Sequence, residues 1–240
     1  FTGNTAIGGG AVSLRTDCEA TFNATTFTGN QVTGNDGKAD GYGEGGGAIY
    51  AGYGKLTLTD VTATGNTASD FGGVIAATKS PVTITGGTFT DNTSNTGGVL
   101  NAMEGCTITV SGATFTGNKS LHENTNSNAE IGGGVFRTAG GTLHITDCTF
   151  DANASAYYGG VILSYKTAVT MDGQTVLRNN TGATGEMDKV TFTGNTATSD
   201  SYGGGAVYNT GATGQMDKVT FTGNTAPTGG VFVFTPHWSL

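Results

Sequence analysis

The sequence predicts an all-β protein: a single right-handed parallel β-helix, or solenoid, with three short strands in each of about eight coils. Three observations carry this prediction. An aromatic or aliphatic residue is followed three positions later by Asn, a Gly-Gly pair precedes a small and then a larger apolar residue, and short stretches alternate apolar residues with Thr. The repeating unit is about 26 residues, which is too short for strand-helix-strand crossovers. We therefore predict one domain over residues 1–240.

The first signature predicts a strand whose central apolar residue points inward while the flanking Thr residues point outward. Each inward residue should lie over its equivalent one strand spacing away, at ~4.8 Å. The most regular copies predict one buried row of aromatic rings: Phe27, Phe89, Phe115, Phe150, Phe192 and Phe221.

The Asn of this signature is interpreted as a structural ladder. Asn tolerates the left-handed conformation of a sharp corner, and its amide can bond both to backbone and to the Asn of the next coil. The predicted ladder consists of Asn30, Asn66, Asn92, Asn118, Asn153, Asn195 and Asn224.

The other two strands follow from the remaining signatures. The last residue of motifs such as "GGAI" at 46–49 and "GGVL" at 97–100 should point inward, and the glycines should permit a tight corner before it. In "LTLTD" at 56–60 and "VTITG" at 82–86 the aliphatic residues should face the core.

Composition limits the classes of function. The chain is rich in Thr and Gly, with 43 Gly against 3 Pro, and only 12% of its residues are charged. A net charge of −8 opposes nucleic-acid binding, which requires concentrated positive charge. No run of about 18 apolar residues is present, so no membrane span is expected in this segment. Because the chain begins inside a repeat, we expect a fragment of a longer chain.

Residues suited to catalysis or metal binding are scattered. Cys18, Cys106 and Cys148 lack metal-site spacing and are expected to be buried thiols, with one disulfide left open. The stretch at 35–45 does not match an EF-hand and is interpreted as a solvated loop rather than a calcium site. We expect no cofactor, no metal and no enzymatic activity. A polysaccharide-active β-helix enzyme is the third alternative, which would need clustered carboxylates.

One unit departs from the repeat. Only 15 residues separate Leu177 from Phe192, and no Gly-Gly pair lies between them. The neighbouring stretches 181–197 and 210–226 differ at a single position, which suggests a duplication joined out of step. The sequence therefore predicts an irregular coil at 177–192.

Two units are longer than the rest because of extra sequence at 31–45 and 119–132. We expect both insertions to protrude as loops from one edge of the solenoid, because both follow the same corner. Loops on a rigid scaffold concentrate binding residues. The candidate binding residues are Asp36, Lys38, Asp40, Tyr42 and Glu44 in the first loop and Lys119, His122, Glu123, Asn126 and Glu130 in the second.

The combination of "GGA[I/V]" with "FxxN" resembles the passenger domain of chlamydial polymorphic membrane proteins and similar repeat adhesins of other bacteria. The resemblance covers most of the chain. It implies a right-handed β-helix that is exported in the manner of an autotransporter and acts in adhesion, at the cell surface or outside the cell.

The sequence thus favours a surface-exposed or secreted structural and adhesive rod that binds partners through its edge loops. The expected partner is a protein or glycan of a host or neighbouring cell, and end-to-end self-association is a further expectation. Ice binding is the second alternative, because Thr-x-Thr pairs recur on a flat face. The pairs that would form this ice face are Thr26/Thr28, Thr88/Thr90, Thr114/Thr116, Thr191/Thr193 and Thr220/Thr222.

Overall fold

The computed structural model describes residues 1–33, 45–121, 132–156, 159–181, 186–188, 191–193, 207–210, 216–217, 220–223 and 232–235. Every regular element within these residues is a β-strand, and every strand pair among them is parallel. The predicted fold class, a parallel β-helix, is confirmed.

The described strands up to residue 120 are β1 (Thr5–Ala6), β2 (Val12–Leu14), β3 (Glu19–Asn23), β4 (Thr26–Thr28), β5 (Gln31–Val32), β6 (Ile49–Gly52), β7 (Lys55–Thr59), β8 (Thr62–Thr64), β9 (Thr67–Phe71), β10 (Ile75–Thr78), β11 (Pro81–Thr85), β12 (Thr88–Thr90), β13 (Thr93–Thr96), β14 (Leu100–Met103), β15 (Thr107–Ser111), β16 (Thr114–Thr116) and β17 (Lys119–Ser120). The remaining described strands are β18 (Phe136–Thr146), β19 (Thr149–Asp151), β20 (Ala154–Ser155), β21 (Ile162–Asp172), β22 (Val176–Arg178), β23 (Glu186–Asp188), β24 (Thr191–Thr193), β25 (Val207–Thr210), β26 (Met216–Asp217), β27 (Thr220–Thr222) and β28 (Phe232–Thr235).

These strands form the three sides of the solenoid. A twelve-stranded sheet holds the Gly-Gly strands together with the alternating strands, and an eight-stranded sheet, β4 to β27, holds the Phe strands. The eight strands of this second sheet agree with the predicted number of coils. A six-stranded sheet, β1-β5-β9-β13-β17-β20, follows the Asn corner and forms a side that the sequence analysis did not assign. Strands β25 and β28 pair separately.

The core is built from rows of identical or similar side chains. Phe89, Phe115 and Phe150 are paired in register, fully buried and stacked, with ring centroids 4.9 Å apart in each step. Phe27 is also fully buried. The aromatic row is therefore confirmed for these four residues. The side chains of the other two, Phe192 and Phe221, lie outside the described part, although their strands pair in register.

Backbone contact between coils explains the Gly-Gly pair. A Cβ on Gly46 would meet the carbonyl of Ile49, and a Cβ on Gly47 would meet the carbonyl of Gly73 in the next coil. Neither position therefore accepts a side chain without a shift of the backbone. Both residues that follow the pair are buried, Ala48 as well as the predicted Ile49.

A second constraint links successive corners. Four described Asp residues have positive φ. At three of them the carboxylate lies where a Cβ on the equivalent residue of the following coil would be, and that residue is Gly. The pairs are Asp60 with Gly86, Asp91 with Gly117, and Asp147 with Gly173. In the third pair the carboxylate of Asp147 also accepts the backbone N–H of Gln174 at 2.7 Å.

The predicted irregular coil at 177–192 is described only in part, because residues 182–185 and 189–190 lie outside the described residues. Leu177 pairs with Phe192 in parallel register, and Met171 pairs with Met187. The Phe strand of this short unit therefore continues the eight-stranded sheet without a change of register.

Replacing Phe115 with Ala should lower the free energy of unfolding by about 3–5 kcal/mol, because it removes an aromatic side chain and leaves a cavity in the middle of the row. Urea unfolding followed by circular dichroism measures this change. As a control, the exposed Thr88→Ala on the neighbouring coil should change stability by less than about 0.5 kcal/mol. A loss below about 1 kcal/mol for Phe115→Ala would contradict the packing described.

Candidate binding surfaces

The two predicted loops leave the solenoid at aligned positions. Gln31, Thr67, Thr93 and Lys119 pair in parallel register along the six-stranded sheet, so the exits lie three coils apart, or ~14 Å by strand spacing. The predicted boundaries need correction, because Gln31–Val32 and Lys119–Ser120 are strands. Lys119 is therefore an exposed residue of a sheet rather than of a loop. The other candidate binding residues lie outside the described residues: Asp36, Lys38, Asp40, Tyr42, Glu44, His122, Glu123, Asn126 and Glu130.

An unusual row of side chains lies on the strands that follow the loop exits. Tyr50, Ala76, Asn101, Arg137 and Leu163 pair in register across β6, β10, β14, β18 and β21. We call these five residues the outer row, because they alternate with residues of the core cluster and are not members of it. Sequence analysis missed this row, although its members stand at one fixed distance from each Gly-Gly pair.

Four members of the outer row are buried although they point away from the core, and Arg137 is partly buried. Tyr50 and Leu163 are each 8% exposed, and Asn101 is fully buried. Nη1 of Arg137 donates to Oδ1 of Asn101 at 3.5 Å, whereas Nδ2 of Asn101 has no partner among the described residues. Strand positions that face outward on the other two sides carry mostly Thr.

A ridge of charged and aromatic side chains follows at the corner after these strands. We call it the corner ridge and define it as Asp17, Tyr53, Lys79, Glu104 and Lys166, which all have positive φ. Nζ of Lys79 lies 2.9 Å from Oε2 of Glu104 and 5.3 Å from the ring centroid of Tyr53. The hydrogen bond from Lys79 to Glu104 raises the pKa of the Lys79 ammonium. The charges of Lys79 and Glu104 within the ridge therefore neutralise each other.

The predicted ice face lies on the eight-stranded sheet. Thr26, Thr62, Thr88 and Thr114 pair in one register, and Thr28, Thr64, Thr90 and Thr116 in the second. The second row is then interrupted by Asp151 and Arg178, whose charged groups lie 3.0 Å apart. The pairs Thr191/Thr193 and Thr220/Thr222 follow in register beyond this ion pair.

The Asn residues form a continuous buried ladder. Asn118 shows the pattern: its Oδ1 accepts the backbone N–H and Nδ2 of Asn92, both at 3.0 Å, and its Nδ2 donates to the carbonyl of Phe89 at 2.8 Å and to Oδ1 of Asn153 at 3.0 Å. Every donor and acceptor of the amide is thus satisfied. The same bonds connect Asn30, Asn66 and the other described members, and the ladder extends to Asn4 and Asn180, whereas Asn195 and Asn224 lie outside the described residues.

The proposed reason for Asn at this corner was wrong in one respect. The residue with positive φ is the one that precedes the Asn, for example Gly65 before Asn66 and Asp91 before Asn92. Asn is required for its four hydrogen bonds, and the preceding residue makes the left-handed turn.

The described residues offer little chemistry of a catalytic kind. No group of three or more His, Cys, Asp or Glu side chains among them could hold a metal ion. All three cysteines are free thiols, Cys18 being exposed and the other two buried. Burial raises the pKa of the Cys106 thiol and raises that of Cys148 to about 11, which keeps both protonated and unreactive at neutral pH. The expected burial of Cys18 was wrong.

Comparison with known proteins agrees with this architecture. The strands, corners and ladders define the class of parallel β-helix proteins. A family model described as a right handed beta helix region matches residues 56–226, and the chain belongs to this family. A model of the Chlamydia polymorphic membrane protein repeat matches residues 24–52, so the chain is also similar to those proteins, as the sequence indicated. No curated protein and no solved structure matches the chain.

The two matches together support a β-helix of the passenger type found in polymorphic membrane proteins. Within the described part of the chain, no helix has the length and apolar character needed to cross a membrane.

The ladder predicts a large effect for Asn118→Ala. The substitution leaves the backbone N–H and Nδ2 of Asn92 and the carbonyl of Phe89 without their partner, and each unsatisfied buried group costs about 1–3 kcal/mol. We expect the free energy of unfolding to fall by at least about 3 kcal/mol, measured by urea unfolding. Asn23→Ala, on an exposed strand position, is the matched control with little expected change. Equal stability of the two variants would refute the structural role of the ladder.

Proposed function

We propose that this protein is a surface-exposed or secreted adhesive rod, and that it binds a protein or glycan of a host or neighbouring cell. The observation that carries the proposal is the alignment of the two loop exits. Gln31 and Lys119 lie in one parallel register, three coils apart, on the six-stranded sheet. Loops that leave a rigid scaffold are where binding residues concentrate.

The scaffold supports such a role mechanically. The buried amide ladder and the stacked Phe rings extend along the axis, so neighbouring coils hold one another in register. A rigid support lowers the entropic cost that a binding surface incurs when it meets a partner. Loops at 34–44 and 122–131 would be presented from aligned exits on this support, with a mixture of carboxylate, amine, imidazole and phenol groups.

The match to the Chlamydia polymorphic membrane protein repeat supports a location at the cell surface, and it supports adhesion as the activity of the domain. End-to-end self-association of rods belongs to the same proposal, because the ladders and sheets of a solenoid can continue from one molecule into another.

Binding rather than catalysis is proposed for this domain. The described acidic residues occur mostly singly at corners, as at Asp60, Asp91 and Asp147, whereas glycoside hydrolysis uses two facing carboxylates. The one His whose side chain is described, His144, lies 3.7 Å from a carboxylate oxygen of Asp172 and is 44% exposed. This pair lies on an exposed strand face, whereas substrate sites are usually concave and bury most of the ligand.

Shortening both loops to the five-residue connection of residues 93–97 should abolish most attachment. The change removes the candidate contact residues while the strands on either side of each exit are kept. We expect attachment to a panel of cells and immobilised glycans to fall at least tenfold, which corresponds to about 1.4 kcal/mol of binding free energy.

The matched control replaces each loop by a Gly/Ser segment of the original length, which separates loss of contact residues from loss of length. Circular dichroism and the Tm establish that every variant is folded. If the folded short-loop protein attaches as well as the parent, the loops do not carry the adhesive function.

A further inference from the structure

The corner ridge has a backbone conformation that its residues do not favour. The φ angles are 61° at Asp17, 59° at Tyr53, 48° at Lys79, 57° at Glu104 and 49° at Lys166. In this region the Cβ of an L-residue crowds the following carbonyl, so Gly, Asn and Asp are the residues that usually occupy it. Tyr53, Lys79, Glu104 and Lys166 therefore adopt a backbone conformation that their residue types disfavour, in four coils that are consecutive or nearly so.

Other corners of the same solenoid show what the backbone alone selects. The equivalent left-handed positions between the alternating strand and the Phe strand are Ala24, Asp60, Gly86, Gly112, Asp147 and Gly173. Five of these six are Gly or Asp, the residues that tolerate the conformation most easily.

The corner ridge itself also accepts Gly. Gly140 occupies the ridge position in the coil of β18 with φ 73°; it is in register with Lys166 and lies next to Gly105 of the preceding coil. Since Gly fits this position, the large side chains of the other coils are not required by the fold. Residues held in disfavoured backbone conformations cluster at functional sites, and this outlier row points to a function in binding.

The side chains of the corner ridge narrow the class of partner. Two acidic and two basic side chains balance, and Lys79 is already paired with Glu104 at 2.9 Å, so the ridge has no net charge to attract an ion. Tyr53 is 49% exposed, and the other exposed large apolar side chains of the described residues are Phe1, Ile7 and Leu121. The ridge therefore lacks the apolar centre of a protein–protein interface.

A single exposed aromatic ring among charged hydrogen-bonding groups suits a saccharide. The C–H face of a sugar ring can pack on the face of Tyr53, and its hydroxyls can donate to carboxylates and accept from ammonium groups. A second Tyr-Lys pair lies on the coil of β21, where Nζ of Lys166 is 4.9 Å from the ring centroid of Tyr165. The groups repeat along the axis at ~4.8 Å, which gives the ridge a linear form.

We propose that the corner ridge binds a neutral saccharide chain that runs along the axis of the solenoid. Tyr53 supplies the stacking surface, Lys79 and Glu104 bond to hydroxyls, and Tyr165 with Lys166 provides a second contact near the far end of the described ridge.

The test replaces Tyr53, Lys79 and Glu104 together by Gly. These substitutions relieve the left-handed conformation, so the Tm should be unchanged or higher. On an array of immobilised neutral oligosaccharides, the parent protein should bind, and the triple variant should bind at least tenfold more weakly. Loss of binding together with gain of stability is the result that distinguishes a binding role from a structural one.

Ala152→Gly is the matched control, because Ala152 also has positive φ, 54°, but lies at a different corner. It should leave saccharide binding unchanged. The proposal is overturned if the parent binds no saccharide on the array, if the triple variant binds as well as the parent, or if its Tm falls in parallel with its binding.

The ridge and the loops are separable. The short-loop protein described above retains the corner ridge and should bind the array as the parent does, whereas the triple Gly variant retains both loops. Loss of cell attachment in the first and loss of saccharide binding in the second therefore report on different surfaces.

Discussion

The structure depends on one buried interaction, the amide ladder at the corner after each Phe strand. The backbone N–H and Nδ2 of each Asn, as at Asn66, donate to the side-chain Oδ1 of the Asn in the next coil, and Nδ2 also donates to a carbonyl of the preceding coil, all away from water. A coil displaced by one residue would leave several of these groups unsatisfied, at a cost that the apolar contacts alone would not impose. The ladder thus fixes the register that the stacked Phe rings, the Gly-Gly backbone contacts and the aligned loop exits all require.

Much of the fold could be predicted because its two main signals are periodic. Phe115 and Asn118 recur with one spacing, and period-two alternation assigned Leu56 and Leu58 to the core. The side formed by strands such as Thr93–Thr96 could not be predicted, because its inward row mixes Val32 and Ala68 with the polar Ser94 and Ser120. Ser94 is 2% exposed and satisfied by donating to the carbonyl of Gly97, so burial there carries no hydrophobic signal.

The candidate binding surfaces were predictable to a smaller extent. An insertion is visible as extra length between two repeats, which is why the loops were found and why their first residues, already paired in strands, were included by mistake. The corner ridge could not be predicted from the sequence. Nothing in the sequence distinguishes Tyr53 and Lys79 from other residues, and only the structure shows their unusual φ angles. The outer row was missed because alternation predicts only that Tyr50 and Asn101 point outward, and does not predict that they are buried.

The pairing of corner Asp with Gly in the next coil has a consequence for how such a chain can evolve. Although the coils look alike, a second Asp cannot follow Asp60 or Asp147 at the same corner of the next coil without placing its side chain where a carboxylate already lies, whereas the opposite order, Gly112 then Asp147, is present. A coil with Asp at this corner must therefore be followed by a coil with Gly at the same position. Recombination between similar repeats can place two Asp coils next to each other, and such products would be selected against. Lineages should therefore lengthen by duplicating adjacent coils as a block rather than by exchanging single coils.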